Sequence, residues 1–226
     1  MVIIEQFLNA TEVGHYRQAL QQAAWLDGTE TALGMASAVK KNLQADGNDP
    51  VVKQLVNGLL AKMGANNKLV SAALPHKIFP PCFNSYSAKE TYGYHVDAAI
   101  MRLPNSQEIL RSDVSMTLFL SDPDDYQGGE LTIATDYGSQ SLKLKAGDAV
   151  VYPSCSLHQV TPVTEGRRLA AICWMQSLVP QAAVRDTLFQ LDQTIQQLSA
   201  NSTIPREQLD NLHLVYHNLI RQNAQV

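Results

Sequence analysis

Apolar and polar positions change their period twice along these 226 residues. In the first third the spacing is helical. Thr11 reads as a cap for a helix through Tyr16, Leu20 and Ala23–Ala24. A second helix is signalled by Asp49 as N-cap, Pro50 in the first turn and apolar residues at Val51, Leu55, Leu59 and Met63, with Gly64 to end it. From about residue 70 the texture becomes short β-type runs between turn residues: Val114–Leu120, Glu130–Ala134, Ser141–Lys145, Ala149–Tyr152 and Leu169–Met175. Gly128-Gly129, Gly138 and Gly147-Asp148 punctuate them, and such regular spacing predicts a sandwich or barrel, of which the jelly roll is one closed form.

After Pro180 the helical period returns. Val184, Leu188, Leu191, Ile195 and Leu198 mark one face of an amphipathic helix. Asn201–Pro205 breaks the pattern, and Leu209, Leu212, Tyr216 and Leu219 resume it. The expected organisation is an α+β chain: a main domain over 1–179, helical over 1–70 with a β core over 71–179, and a helical hairpin over 180–226.

Composition narrows the function classes. A hydrophobic share of 45% beside 17% charged residues fits a globular protein rather than a disordered one. The net charge of −4 and the lack of any basic run beyond Lys40-Lys41 argue against a nucleic-acid partner. No apolar stretch approaches the ~20 residues that span a bilayer, and Glu5 interrupts the apolar start, so neither a membrane span nor a secretory signal is expected. Three cysteines, Cys82, Cys155 and Cys173, form no CxxC; they read as small buried residues in a reducing cytoplasm.

The chemistry concentrates in Tyr94-His95-Val96-Asp97. On a strand, residues i and i+2 project from one face, so the His95 imidazole and Asp97 carboxylate can share a target. A third donor, His158, follows an apolar strand and a Pro/Ser turn. Two histidines and one carboxylate suit Fe(II) and leave coordination positions open for substrate and O2. Ten residues beyond His158, Arg168 opens an apolar strand. A guanidinium inside a β core needs an anion, and a dicarboxylate cosubstrate would supply one.

These residues resemble the Fe(II)/2-oxoglutarate dioxygenases of the prolyl 4-hydroxylase type. The blocks His-Val-Asp-Ala-Ala-Ile-Met from His95, Leu-Phe-Leu-Ser-Asp-Pro-Asp-Asp-Tyr-Gln-Gly-Gly-Glu-Leu from Leu118, and Ser-Leu-His-Gln-Val-Thr-Pro-Val from Ser156 are similar to bacterial PKHD-type hydroxylases over essentially the whole chain. The resemblance implies iron ligation by His95, Asp97 and His158, capture of the distal 2-oxoglutarate carboxylate by Arg168, and a cosubstrate contact from Tyr86, nine residues before the first histidine. It also implies a double-stranded β-helix (jelly-roll or cupin-like) core, L-ascorbate as reductant, and a small molecule or peptide as substrate. A homodimer through the C-terminal helices is expected from their apolar stripes. Two rivals stand beside this reading: a cupin-like metalloenzyme without 2-oxoglutarate, and a non-catalytic sensor on the same barrel.

Other residues read as structural. His213 and His217 share a helix face without a further donor, Arg167 faces away from Arg168, Asp122, Asp124 and Asp125 make a solvated turn, and Trp174 belongs to the core. Tyr92 and Tyr94 are placed equally between substrate contact and packing.

Overall fold

The computed structural model of the protein describes residues 1–31, 35–135, 137–200 and 203–226. Helix α1 (Ala10–Leu20) is capped by Asn9 rather than Thr11. The Asn9 side chain accepts from the Glu12 N–H at 2.9 Å, and Glu12 reaches back to the Asn9 N–H at 2.8 Å, a reciprocal capping box. The helix stops at Leu20, short of Ala23–Ala24. After the single turn α2 (Met35–Ala38), helix α3 (Pro50–Ala65) starts where the pattern predicts: the Asp49 carboxylate accepts from the Val51 N–H at 2.8 Å, with Pro50 in the first turn. Gly64 does not end it. Asn66 does, and its side chain caps the next helix, α4 (Asn67–Ala73).

The segment expected to be helical, 1–70, holds these helices together with four short strands that the pattern did not predict: β1 (Val2–Ile4), β2 (Trp25–Asp27), β3 (Lys40–Lys41) and β4 (Leu43–Ala45). Each is two or three residues long, too short for an alternating pattern to register in sequence. Tertiary pairing makes them strands.

The β core begins with β5 (Pro75–Ile78), β6 (Cys82–Tyr86) and β7 (Thr91–His95). A hairpin, β8 (Ile100–Arg102) and β9 (Ile109–Arg111), precedes the central strand β10 (Val114–Phe119). Then follow β11 (Tyr126–Gly128), β12 (Leu131–Thr135), β13 (Gly138–Leu142), β14 (Ala149–Pro153), β15 (His158–Val160), β16 (Val163–Gly166) and the long β17 (Arg168–Ser177). The larger sheet has the order β1-β14-β10-β17-β6-β4-β2, with β5 also on β17; the smaller runs β13-β12-β15-β7-β3. Every pairing in both is antiparallel.

Alternation gives the larger sheet two different faces. Phe83, Val114, Met116, Leu118, Val151, Leu169, Ala171, Cys173 and Met175 point outward into a core with Tyr16, Leu20, Leu55, Leu59, Met63 and Leu69 of the helices. Their alternates point toward the smaller sheet, where Phe119, Val150 and Tyr152 meet Leu131 and Ile133. Register places Tyr86 beside Arg168 and Asn84 beside Ala170 on that inner face, and Ser115 beside Trp174 and Tyr152.

At the C-terminus α5 (Ala182–Ser199) and α6 (Arg206–Asn223) form the expected hairpin. The predicted break at Asn201–Pro205 lies partly outside the described residues. Leu188 joins Leu74 and Val179 in a small core edged by Val184, Tyr216, Leu219 and Ile220. Among the described residues no helix is long and apolar enough to cross a membrane.

One buried cation pins this hairpin to the barrel. Arg185, 4% exposed, donates through Nη1 to the carbonyls of Val179 and Pro180 at 2.8 and 2.7 Å, and through Nη2 to that of Asp113 at 3.2 Å. Truncation would leave three carbonyls short of a donor. Arg185→Ala is therefore expected to lower unfolding stability by about 2–3 kcal/mol, read from urea melts. A loss within the scatter of surface substitutions would count against this anchor.

Candidate metal centre

His95 ends β7 and His158 opens β15, and the two are direct partners across the antiparallel ladder. Their imidazole centroids lie 4.3 Å apart. Asp97 follows two residues after His95, just past the strand end, where its carboxylate returns to the same side. The Asp97 Oδ1 is 3.8 Å from His158 Nε2, and one donor atom from each of the three side chains lies within 4.8 Å of the others.

Each imidazole is held in one tautomer by its own chain. His95 Nδ1–H donates to the Gly93 carbonyl at 2.7 Å and His158 Nδ1–H to the Ser156 carbonyl at 2.9 Å, so each Nε2 lone pair faces the shared point. Burial, and then the neighbouring His158, push the His95 pKa down to about 4, which keeps its ring neutral at neutral pH. Tyr92 stacks on His95 at 3.5 Å and 13°, and Tyr152 meets His158 edge-on at 5.4 Å. A bulge between His158 and Val160 in the β15–β7 ladder aligns Tyr92 with the ligand face.

The carboxylate is also fixed. Ser115 Oγ donates to Asp97 Oδ2 at 2.6 Å, and Ser154 Oγ lies 2.7 Å from Ser115 Oγ. Both serines are at most 2% exposed. With Oδ2 engaged, Oδ1 is the oxygen turned to the histidines. Sequence reasoning missed Ser115 and Ser154. The alternation of Val-Ser-Met-Thr-Leu-Phe is the signal that puts Ser115 and Thr117 inside, but only the register shows what Ser115 touches.

Deeper in the same cleft lies Arg168, 1% exposed. Its guanidinium carbon sits 5.3 Å from the Tyr86 ring centroid and 5.4 Å from that of Phe119. Neither Nε nor Nη2 has a hydrogen-bond partner. The ring faces offset part of the burial of this charge, and the donors that stay unpaired match the bidentate geometry of a carboxylate. Burial holds the Tyr86 hydroxyl neutral, raising its pKa to about 12 against the pull of Arg168. The two histidines on the smaller sheet thus face the wall of the larger sheet that carries Arg168 and Tyr86, with Tyr152 and Ser115 touching the triad from that wall. These side chains fit an Fe(II) ion and a dicarboxylate: two imidazoles and a carboxylate beside a buried cation with free donors.

The remaining expectations divide. Arg167 is exposed and turned away, with Nε 2.7 Å from Ser85 Oγ and its guanidinium over Trp25. Asp122 caps a 3₁₀ turn through Asp125, which pairs with Arg17 at 2.9 Å. His213 and His217 stack at 6.4 Å, with no third donor near them among the described residues. Two expectations are corrected. Cys155 is exposed and Cys82 half-buried, because only Cys173 falls on the helix-backed face of the large sheet. Trp174 is half-buried on the inner face, edge-on to Phe79 at 5.6 Å, rather than in the core.

Comparison with known proteins agrees with this geometry. Residues 82–176 match the family model of the 2OG-Fe(II) oxygenase superfamily, and residues 183–225 match that of the PKHD-type hydroxylase C-terminal domain. A PKHD-type hydroxylase of Shewanella frigidimarina is 61% identical over 226 residues, covering 100% of both chains, and one of Alteromonas mediterranea is 57% identical over the same span. Among solved structures, a Pseudomonas putida prolyl-4-hydroxylase superposes with a TM-score of 0.52 at 20% identity, covering 78% of this chain and 91% of that one. HygX of Streptomyces hygroscopicus, solved with nickel, 2-oxoglutarate and hygromycin B, gives 0.52 at 14% identity over 79% and 83%. The shared architecture is of jelly-roll type, mixed with helices.

Removing the Ser115 hydroxyl frees Asp97 to rotate. Ser115→Ala is expected to weaken divalent-metal affinity by about tenfold, the usual effect of losing a residue that orients a ligand, with the circular-dichroism spectrum unchanged. Titration of the metal-free protein with Mn(II) reads it. Unaltered affinity would show that Asp97 needs no such support.

Proposed function

We propose that this chain, which belongs to the PKHD-type hydroxylases of the 2OG-Fe(II) oxygenase superfamily, holds Fe(II) through His95, Asp97 and His158 and 2-oxoglutarate through Arg168, with Tyr86 as a further cosubstrate contact. The enzyme is an Fe(II)- and 2-oxoglutarate-dependent dioxygenase that hydroxylates a small molecule or peptide, using O2 and converting 2-oxoglutarate to succinate and CO2. The observation that carries the residue roles is the buried Arg168 with its unpaired Nε and Nη2. A cupin-like enzyme without a diacid would have no use for it there.

When bound, iron and 2-oxoglutarate supply the oxidising power that places one oxygen atom of O2 into a substrate C–H bond. The protein's share is positional. The Gly93 and Ser156 carbonyls hold both imidazoles with Nε2 turned inward, and Ser115 keeps the Asp97 carboxylate from swinging away. These three side chains would hold Fe(II), and a set of two histidines and one carboxylate would leave coordination positions for cosubstrate and O2. Arg168 then fixes the far carboxylate by a paired, charge-assisted contact, and the Tyr86 and Phe119 rings exclude water around it. A dry wall strengthens that contact and protects the reaction from solvent.

The finer readings follow from the same observations. The strand orders β14-β10-β17-β6 and β13-β12-β15-β7 support a double-stranded β-helix, with β1, β2, β3 and β4 as additions at the edges. Family precedent supports L-ascorbate as the reductant that restores Fe(II) after turnover without substrate. Exposed Leu214 and Val215 on α6 favour a homodimer through the C-terminal hairpin. Three cysteines free of disulfides fit a cytoplasmic setting.

Two variants separate the roles. His95→Ala or Asp97→Ala is expected to abolish stoichiometric iron binding, measured by metal analysis after gel filtration, with the fold kept; full occupancy in either variant would reject the ligand set. Arg168→Ala is expected to raise the 2-oxoglutarate requirement for succinate formation by at least tenfold, the scale of one charge-assisted hydrogen bond, while iron affinity stays within about twofold. An unchanged 2-oxoglutarate dependence would remove Arg168 from the cosubstrate site.

A further inference from the structure

Asn84 is the second unpaired polar group on the wall that carries Arg168. It sits in the middle of β6 and is 1% exposed, yet neither its Oδ1 nor its Nδ2 has a hydrogen-bond partner. Leaving a buried carboxamide unpaired costs about 1–3 kcal/mol per group, and nothing in the packing requires one here. Its neighbours Phe83 and Leu169 serve the helix-backed face, so Asn84 faces the inner side of the sheet.

Register gives the orientation. Tyr86 pairs with Arg168 and Asn84 with Ala170, so Asn84 is one inward step along β6 from Tyr86, as Ala170 is from Arg168 along β17. One such step is about 6.6 Å, which is close to the length of an extended five-carbon diacid. The step runs toward the open, metal-bearing end of the cleft. The next inward residues beyond Asn84 and Ala170 are Cys82 and Ile172, both half-buried, and then Trp174, whose register partner is the Ser115 that holds Asp97. Ala170, the register partner of Asn84, carries only a methyl group, so the sheet surface is low beside the Asn84 amide.

We propose that the Asn84 carboxamide is a cosubstrate-positioning group, its Nδ2–H donating to the C1 carboxylate of 2-oxoglutarate while Arg168 holds the C5 carboxylate. The proposal rests on Arg168 being the distal anchor. With both ends held, the keto acid has one orientation along the cleft, and its C1–C2 end is delivered to the triad. Arg168 alone would fix only the tail of a chain with four C–C single bonds.

Succinate tests the assignment, because it keeps the carboxylate that Arg168 would bind and lacks C1. Isothermal titration of the Mn(II)-loaded protein with 2-oxoglutarate and with succinate reads both affinities. Asn84→Ala is expected to weaken 2-oxoglutarate by about tenfold and succinate by less than twofold. Asn84→Asp, of the same shape but placing a carboxylate against a carboxylate, should weaken 2-oxoglutarate further. The ligand-free melting temperature of Asn84→Ala should hold or rise, since an unpaired buried amide has been removed. Equal weakening of the two diacids, no weakening of either, or a marked fall in the ligand-free melting temperature would overturn the role of Asn84 and leave the site itself standing. A wild-type protein that binds neither diacid would overturn the cosubstrate site and this proposal with it.

Discussion

The direct pairing of His95 with His158 across two antiparallel strands is the constraint on which the site depends. Side chains on a strand alternate, so a slip of one residue in that ladder would send one imidazole to the outer surface. Tyr94, Val96 and Leu157, three of the four residues flanking these histidines, are exposed, which shows how sharp the boundary is. The register is protected from both sides. Leu131 and Ile133 on β12, which pairs with β15, are buried against the large sheet, and Tyr92 packs on His95 from within β7.

The larger sheet makes a polar site possible inside a small protein by separating two tasks between its faces. Its outer face is filled with aliphatic and aromatic side chains and backed by α1, α3 and α4, and together they form the main apolar core. The inner face is thereby free to carry Asn84, Tyr86, Ser115, Thr117 and Arg168. Had the strands been buried in apolar contact on both sides, those polar groups would have no water and no ligand, and their desolvation would count fully against folding.

Legibility in the sequence followed the length scale of each feature. Long periodic segments such as 50–65 and 182–199 were readable because sixteen or eighteen residues accumulate an unmistakable apolar face. The candidate metal donors were readable because His95 and Asp97 are two residues apart and His158 follows an apolar strand and a Pro/Ser turn. Strands of two or three residues such as β3 and β4 were not, since their conformation is set by the partner strand rather than by their own side chains. The same holds for Ser115 and Asn84. A serine or asparagine in a strand looks ordinary until the register shows the carboxylate it touches or the partner it lacks.

Unpaired buried groups in this fold are not scattered. Asn42, Asn84, Tyr126 and Arg168 account for seven of the eight side-chain atoms found without partners among the described residues. Three of these residues are neighbours by register or contact: Arg168 lies over Tyr86, Asn84 is the next inward residue on Tyr86's own strand, and Asn42 continues the β4–β6 register opposite Tyr86. Tyr126 packs in the same aromatic cluster as Tyr86. A chain under selection for stability alone would replace such groups, because apolar residues of the same shape are cheaper to bury. Their concentration at one end of one cleft sets that end apart from the apolar packing elsewhere in the fold.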